Sequence, residues 1–216
     1  MNAQSRDGYT IERIDGRLEL CARDAGARVY LDLDDVQRRL RQGKKLALAK
    51  ACGVRPGLRV LDGMAGLGLD GITLAMLGCD VLMVERDPQL FVLLQDAIAR
   101  ARADVSFALS IECREGDVRD VLVGRDEFDA VYLDPMFPPR DKAALPRKSA
   151  QVLGELLGAS DEDLRELVAA ARARARGRVV VKRRRHDATW LQPDWQIVGR
   201  SVRFDVYRGT ARSETG

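Results

Sequence analysis

Tyr132-Leu133-Asp134-Pro135-Met136-Phe137-Pro138-Pro139 sets a carboxylate, a rigid turn and an aromatic side by side, after an apolar run. This suits one kind of chemistry. An exocyclic amine on a nucleobase is a poor nucleophile, because its lone pair is delocalised into the ring. If Asp134 and the Pro135 carbonyl each accept one N–H, the nitrogen becomes more tetrahedral and its lone pair is freed. Proline fixes the backbone that carries the carbonyl. Phe137 can stack on a base drawn out of its helix. Asp134, Pro135 and Phe137 are therefore the candidate catalytic residues.

A second stretch, Val60 to Gly71, must bring the reaction partner. It runs from an apolar strand ending at Asp62, through a glycine-rich turn, into a helix. Gly66-x-Gly68-x-x-Gly71 fits a dinucleotide fingerprint. The same residues fit Asp-x-x-x-Gly-x-Gly, the first motif of enzymes that use S-adenosylmethionine. Asp62 would repel a pyrophosphate but can face a cationic methionyl group, which favours the second fit. A nicotinamide-dependent oxidoreductase stays as an alternative. So does an amino-group methyltransferase acting on DNA adenine, DNA cytosine or a protein glutamine. Glu85, about 20 residues on, can accept both ribose hydroxyls of a nucleoside. Arg86 can lie over adenine, and Asp117 can accept the adenine amino group.

The elements that position these residues follow from periodicity. Asp15-Gly16 between Ile11, Ile14, Leu18 and Leu20 predicts a type I′ hairpin. Ala27 to Leu33 adds an extended segment, giving a small β cap. One helix is expected from a cap at Asp34 or Asp35 to about Cys52, with Val36, Leu40, Leu46 and Ala49 inward. Strands are expected at 58–62, 80–84, 110–114, 128–133 and 178–182. Helices are expected at 70–77, from Pro88, at 148–157 and at 161–175. Gln196–Val198 and Val202–Tyr207 should close the sheet as an antiparallel pair. Repeated β-α alternation predicts an α/β fold, Rossmann-like, with a seven-stranded mainly parallel sheet and helices on both faces. The expected organisation is a cap and helix over 1–52, a catalytic domain over 53–209 and a frayed tail over 210–216. In such sheets ligands bind beyond the C-terminal strand ends, where Asp62, Glu85, Asp117, Asp134 and Lys182 fall.

The chain has 216 residues, a net charge of +3, four cysteines without CxxC spacing and a single histidine. That argues against a zinc site, any other metal site and a disulfide framework. No apolar run is long enough to span a bilayer, and a reduced, cytoplasmic protein is expected. Two basic runs can track a phosphate backbone: Arg38, Arg39, Arg41, Lys44 and Lys45, then Lys182, Arg183 and Arg184. Arg172, Arg174 and Arg176 instead suit a helix C-terminus.

Together these residues resemble the bacterial small-subunit ribosomal RNA guanine-N2 methyltransferases of the J type. The resemblance runs through Leu18-Glu19-Leu20, Ala65-Gly66-Leu67-Gly68-x-Asp70, Glu85-Arg86, Tyr132 to Pro138, Lys148, Val179 to Arg183 and Arg203 to Tyr207. It implies the class I methyltransferase fold and a donor site taking in Leu69, Asp70, Glu85, Arg86, Gly116, Asp117 and Asp134. Leu69 stands where the family usually has Arg, so a contact there would run through backbone. The resemblance also implies S-adenosylmethionine as cofactor without a metal. The implied acceptor is the 2-amino group of a guanosine near the 3′ end of 16S rRNA, met as RNA or as the 30S subunit by a monomeric enzyme.

Overall fold

The computed structural model describes residues 8–22, 26–104, 109–135, 161–189 and 191–211. Phe137 and the helix expected over 148–157 lie outside them. Strands β1 (Tyr9–Ile14), β2 (Arg17–Ala22) and β3 (Arg28–Val29) form the cap. Asp15 and Gly16 both have positive φ, as a type I′ turn needs. Leu20, Ala27 and Val29 of the cap pack on Leu90 and Leu93 of α4 (Pro88–Asp104).

The single helix expected to run to Cys52 is broken. Helix α1 (Leu33–Leu40), a 3₁₀ turn (Gly43–Lys45) and α2 (Ala47–Cys52) replace it. Leu46 leaves the helical region with ψ 124°, so the two helices take different directions. The N-cap of α1 is Asp32, whose carboxylate accepts from the Asp34 N–H at 3.0 Å. Asp34 and Asp35 instead sit in the first turn, where the helix dipole favours acids.

The main sheet comprises β4 (Arg59–Asp62), β5 (Asp80–Glu85), β6 (Ile111–Glu115), β7 (Phe128–Leu133), β8 (Ala175–Arg184), β9 (Trp195–Val198) and β10 (Val202–Arg208). Its order is β6-β5-β4-β7-β8-β10-β9. Pairs among β4 to β8 are parallel, and β10 runs antiparallel to both β8 and β9. This is the Rossmann-like class I arrangement, and its order reverses between β4 and β7. Helices α3 (Leu69–Met76), α5 (Val118–Val123) and α6 (Asp161–Arg174) complete it. The expected strands are present, β8 extending past both expected ends. Helix α5 was not anticipated; it is a six-residue piece capped by Asp117.

Alternate strand residues bury on opposite faces, as a sheet covered on both sides requires. Val60, Met83, Ala130 and Tyr132 join α1 to α4. Leu61, Val84, Val131 and Leu133 join α5 and α6. Burying each such large side chain contributes roughly 1.5–3 kcal/mol. Val36, Leu48 and Ala51 share one cluster with Val60 and Leu74, so α1 and α2 pack into the core beside the sheet. Within the stretch expected as a tail, the N–H groups of Thr210 and Ala211 donate to the Arg172 and Ala175 carbonyls.

Candidate active site

A cleft of about 230 Å³ opens where the C-terminal ends of β4, β5, β6 and β7 meet. The loop after β4 forms one wall. At Gly66, φ is +55° and a Cβ would meet nothing, so its face is open space. Gly68 differs. Its φ is +85°, and a Cβ there would sit 2.6 Å from Leu94 Cδ1. Of the candidate residues, Gly66, Leu69, Asp70, Glu85, Arg86, Gly116, Asp117, Asp134 and Pro135 line this one cleft. Gly68 and Asp62 do not. Gly68 lets α3 start against α4. Asp62 is 1% exposed and is not among the residues that line the cleft. Burial, followed by the charges of Asp70 and Asp134, pushes its carboxyl well above the usual range.

The carboxylate of Glu85 holds the loop in place. Its Oε2 accepts from the Gly66 N–H at 2.7 Å and its Oε1 from the Asp87 N–H at 2.8 Å. Burial raises the Glu85 carboxyl, and these N–H bonds oppose the rise. With a third bond from the Arg86 N–H, three of the four lone-pair sites are taken and one is left for a ribose hydroxyl. Asp117 lines the cleft and also caps α5, its Oδ1 accepting from the Arg119 N–H at 2.8 Å. Four carboxylates (Asp70, Glu85, Asp117, Asp134) and three cations (Arg86, Arg119, Lys182) line the cleft, a balance that suits a positively charged ligand.

Next to this wall lies a charged network that sequence reasoning did not assemble. Lys182, on β8, donates from Nζ to Asp134 Oδ2 at 2.6 Å and to Asp70 Oδ2 at 2.9 Å. The Tyr132 hydroxyl donates to the same Asp70 oxygen at 2.6 Å. Arg39, reaching from α1, donates to Asp70 Oδ1. Burial pushes the Asp70 carboxyl up, but Lys182 and Arg39 outweigh it and hold the group well below the usual range. For Lys182, burial favours the neutral amine, yet the two carboxylates more than offset it and keep the ammonium charged. Asp134 ends above the ordinary carboxylate range: burial raises it, the Lys182 charge opposes, and Asp70 adds repulsion. Its side chain is still 34% exposed toward the cleft, which limits the rise.

Two cations expected on RNA are therefore turned inward. Arg39 and Lys182 neutralise Asp70 and Asp134. A third, Arg183, is 5% exposed and donates to the Ala188 carbonyl at 3.2 Å. Period-2 alternation explains this, since adjacent residues on β8 point to opposite faces and both faces are covered. Arg184 is half-buried. Arg38, paired with Asp35, stays exposed along with Arg41 and Lys45, and Lys44 lies in the 3₁₀ turn. The strand-end position that already set Lys182 among the expected ligand-side residues is level with Asp134 on the neighbouring strand, and this pairing brings it into the network. Among the described residues, no group of His, Cys, Asp and Glu could hold a metal ion, and no helix is long and apolar enough to cross a membrane.

The comparisons with known proteins agree with this geometry. Residues 1–209 match the family model described as "Putative SAM-dependent methyltransferase". Ribosomal RNA small subunit methyltransferase J of Thioalkalivibrio sulfidiphilus is 41% identical over 204 residues, 88% of this chain and 80% of the relative. The protein of the same name from Pseudomonas aeruginosa is 42% identical over 180 residues, 79% of this chain and 69% of the relative. A crystal structure of a SAM-dependent methyltransferase from Neisseria gonorrhoeae superposes with a TM-score of 0.74 at 27% identity, covering 99% of this chain and 88% of that one. The fold, the acid-lined cleft and these matches lead to one assignment: the chain belongs to the ribosomal RNA small subunit methyltransferase J family of SAM-dependent methyltransferases.

Proposed function

We propose that this chain transfers a methyl group from S-adenosylmethionine to the exocyclic N2 amine of a guanosine near the 3′ end of 16S rRNA. The observation that carries the reading is Asp134-Pro135 at the tip of β7, lining the same cleft as Gly66 and Glu85. The names of its relatives supply the RNA. S-adenosylmethionine, when bound, supplies a methyl group on a sulfonium whose C–S bond breaks as the new N–C bond forms. Gly66, Leu69, Glu85, Arg86, Gly116 and Asp117 hold it, and the acidic lining favours its charge. Asp134 and the Pro135 carbonyl each accept one N–H of the guanine amine and orient its lone pair toward the methyl. The surplus amine proton then passes to the Asp134 carboxylate, whose raised basicity suits that role. Lys182 fixes the carboxylate in place. Most of the rate comes from positioning, and no metal is required.

Incubation of the full chain with labelled S-adenosylmethionine and separate 30S subunits, naked 16S rRNA, DNA or ribosomal protein tests this. Label is expected in N2-methylguanosine of 16S rRNA. Asp134→Ala should abolish transfer while affinity for S-adenosylhomocysteine, read by calorimetry, survives. Label in DNA or protein alone, or full transfer by the variant, contradicts the reading.

A further inference from the structure

A second cleft, of about 540 Å³, lies between α2 with the 3₁₀ turn before it and the turn joining β9 to β10. The two clefts share Asp70 and Lys182 as a common wall. Their chemistry is opposite. Five cations line the second cleft (Arg39, Lys45, Lys50, Lys182, Arg200) against one carboxylate, Asp70. Arg39 and Lys182 are occupied by that carboxylate. Lys45, Lys50 and Arg200 are exposed, and none has an ion pair with a described residue. The floor is apolar, made by the buried Leu46, Leu48 and Phe204.

The rim is also pre-organised. The turn that presents Arg200 is tied by Gly199 N–H to the Val202 carbonyl at 2.8 Å and by Arg185 N–H to the Ser201 carbonyl at 3.1 Å. The Arg185 guanidinium adds bonds at 3.4 Å to the Gly199 and Arg200 carbonyls. A rigid cationic rim over an apolar floor fits a nucleotide whose phosphate meets Lys45, Lys50 and Arg200 while its base or sugar covers the floor. The shared wall sets this nucleotide beside the donor cleft.

We infer that this second cleft binds a phosphate-bearing segment of the substrate RNA next to the methylated nucleotide. The inference rests on the rRNA reading above and adds the place where the strand is held. A full chain carrying K45E, K50E and R200E is compared with wild type for binding to 16S rRNA across a salt titration. Each phosphate contact contributes about one to the log–log salt slope, so the slope should fall by roughly 2–3 and affinity by tenfold or more at low salt. Affinity for S-adenosylhomocysteine should match wild type, which reports an intact fold. Should the triple variant not fold, the single variants K45Q, K50Q and R200Q are each expected to lower the slope by about one. Unchanged rRNA affinity and slope in the variants overturns the inference. Guanosine 5′-monophosphate serves as a second probe; loss of its binding with rRNA affinity intact makes this a small-anion site and also overturns it. Wild type that binds rRNA but transfers no methyl group overturns the functional reading and leaves the cleft standing. Transfer by wild type, with unaltered RNA affinity in the variants, overturns the cleft alone.

Discussion

Replacing Lys182 by Met removes the ammonium that two carboxylates share while keeping the length of the side chain. Nζ lies 2.6 Å from Asp134 and 2.9 Å from Asp70. At an effective dielectric of about 20, each contact is worth roughly 6 kcal/mol of gross Coulomb attraction, most of it offset by the desolvation of both partners. Losing one member of a buried pair costs about 3–5 kcal/mol. The Lys182 side chain is 20% exposed and Asp70 keeps Arg39 and Tyr132, so about 3 kcal/mol is expected. The pH window follows from both partners. Asp70, held low, loses its contribution only as pH falls below about 4. Lys182, held high, contributes fully below about pH 10.4 and loses its contribution only as pH rises beyond that. Asp134, held above its ordinary range and opposed by Lys182, rises further in the variant, so the stability gap should widen with pH through the acid range and level off only above the variant's Asp134 pKa, up to about pH 10. Catalysis should respond to the same titration. Without the cation the Asp134 carboxyl rises further, so the acid limb of kcat/KM moves to higher pH and activity at pH 7 falls. Denaturant unfolding at several pH values and a pH–rate profile read both effects. A double-mutant cycle with Asp134→Asn isolates the pair. A stability loss below about 1 kcal/mol, a stationary acid limb, or coupling under about 0.5 kcal/mol would refute the reasoning.

Gly66→Ala and Gly68→Ala should separate ligand binding from folding. The first puts a methyl group into open cleft space at φ +55°, with a strain of about 1 kcal/mol but at least tenfold weaker S-adenosylhomocysteine binding by calorimetry. The second adds a clash with Leu94 and should cost about 2–3 kcal/mol of stability, with a smaller effect on binding; reversed rankings sink this division. Asp62→Asn should stabilise the protein. Burial raises the Asp62 carboxyl, so the wild type loses stability as pH climbs from the ordinary carboxylate pKa toward the folded one. Thermal unfolding should show a gain of about 1–2 kcal/mol at pH 8 and none near pH 3. An equal change at both pH values would show that packing, not ionisation, sets the outcome.

The sheet was legible in the sequence because its strands are apolar on both faces and its turns carry glycine. The strings around Gly66 and Asp134 fall at strand ends, so topology alone brings them to one cleft. The missed features have physical causes. Leu33 to Cys52 keeps a helical apolar spacing across its break, and no proline marks the point where Leu46 turns away. Helix α5 spans only six residues, too short for a periodic signal. Asp62 was read as a ligand for the donor, yet a carboxylate at a strand tip can point down as readily as up. Arg39 and Lys182 sit in basic runs that resemble a solvated surface. The strand ends put Lys182 and Asp134 on the ligand side of the sheet, but only the β7–β8 register makes them an ion pair, and only the fold of α1 over α3 brings Arg39 to Asp70.

Mass spectrometry of nucleosides from 16S rRNA, after incubation with the full chain and S-adenosylmethionine, puts the central claim to the most direct test. Wild type should yield N2-methylguanosine at one position near the 3′ end, and Asp134→Ala should yield none while still binding S-adenosylhomocysteine. An unmodified guanosine with wild type, or the same yield from the variant, would contradict the account.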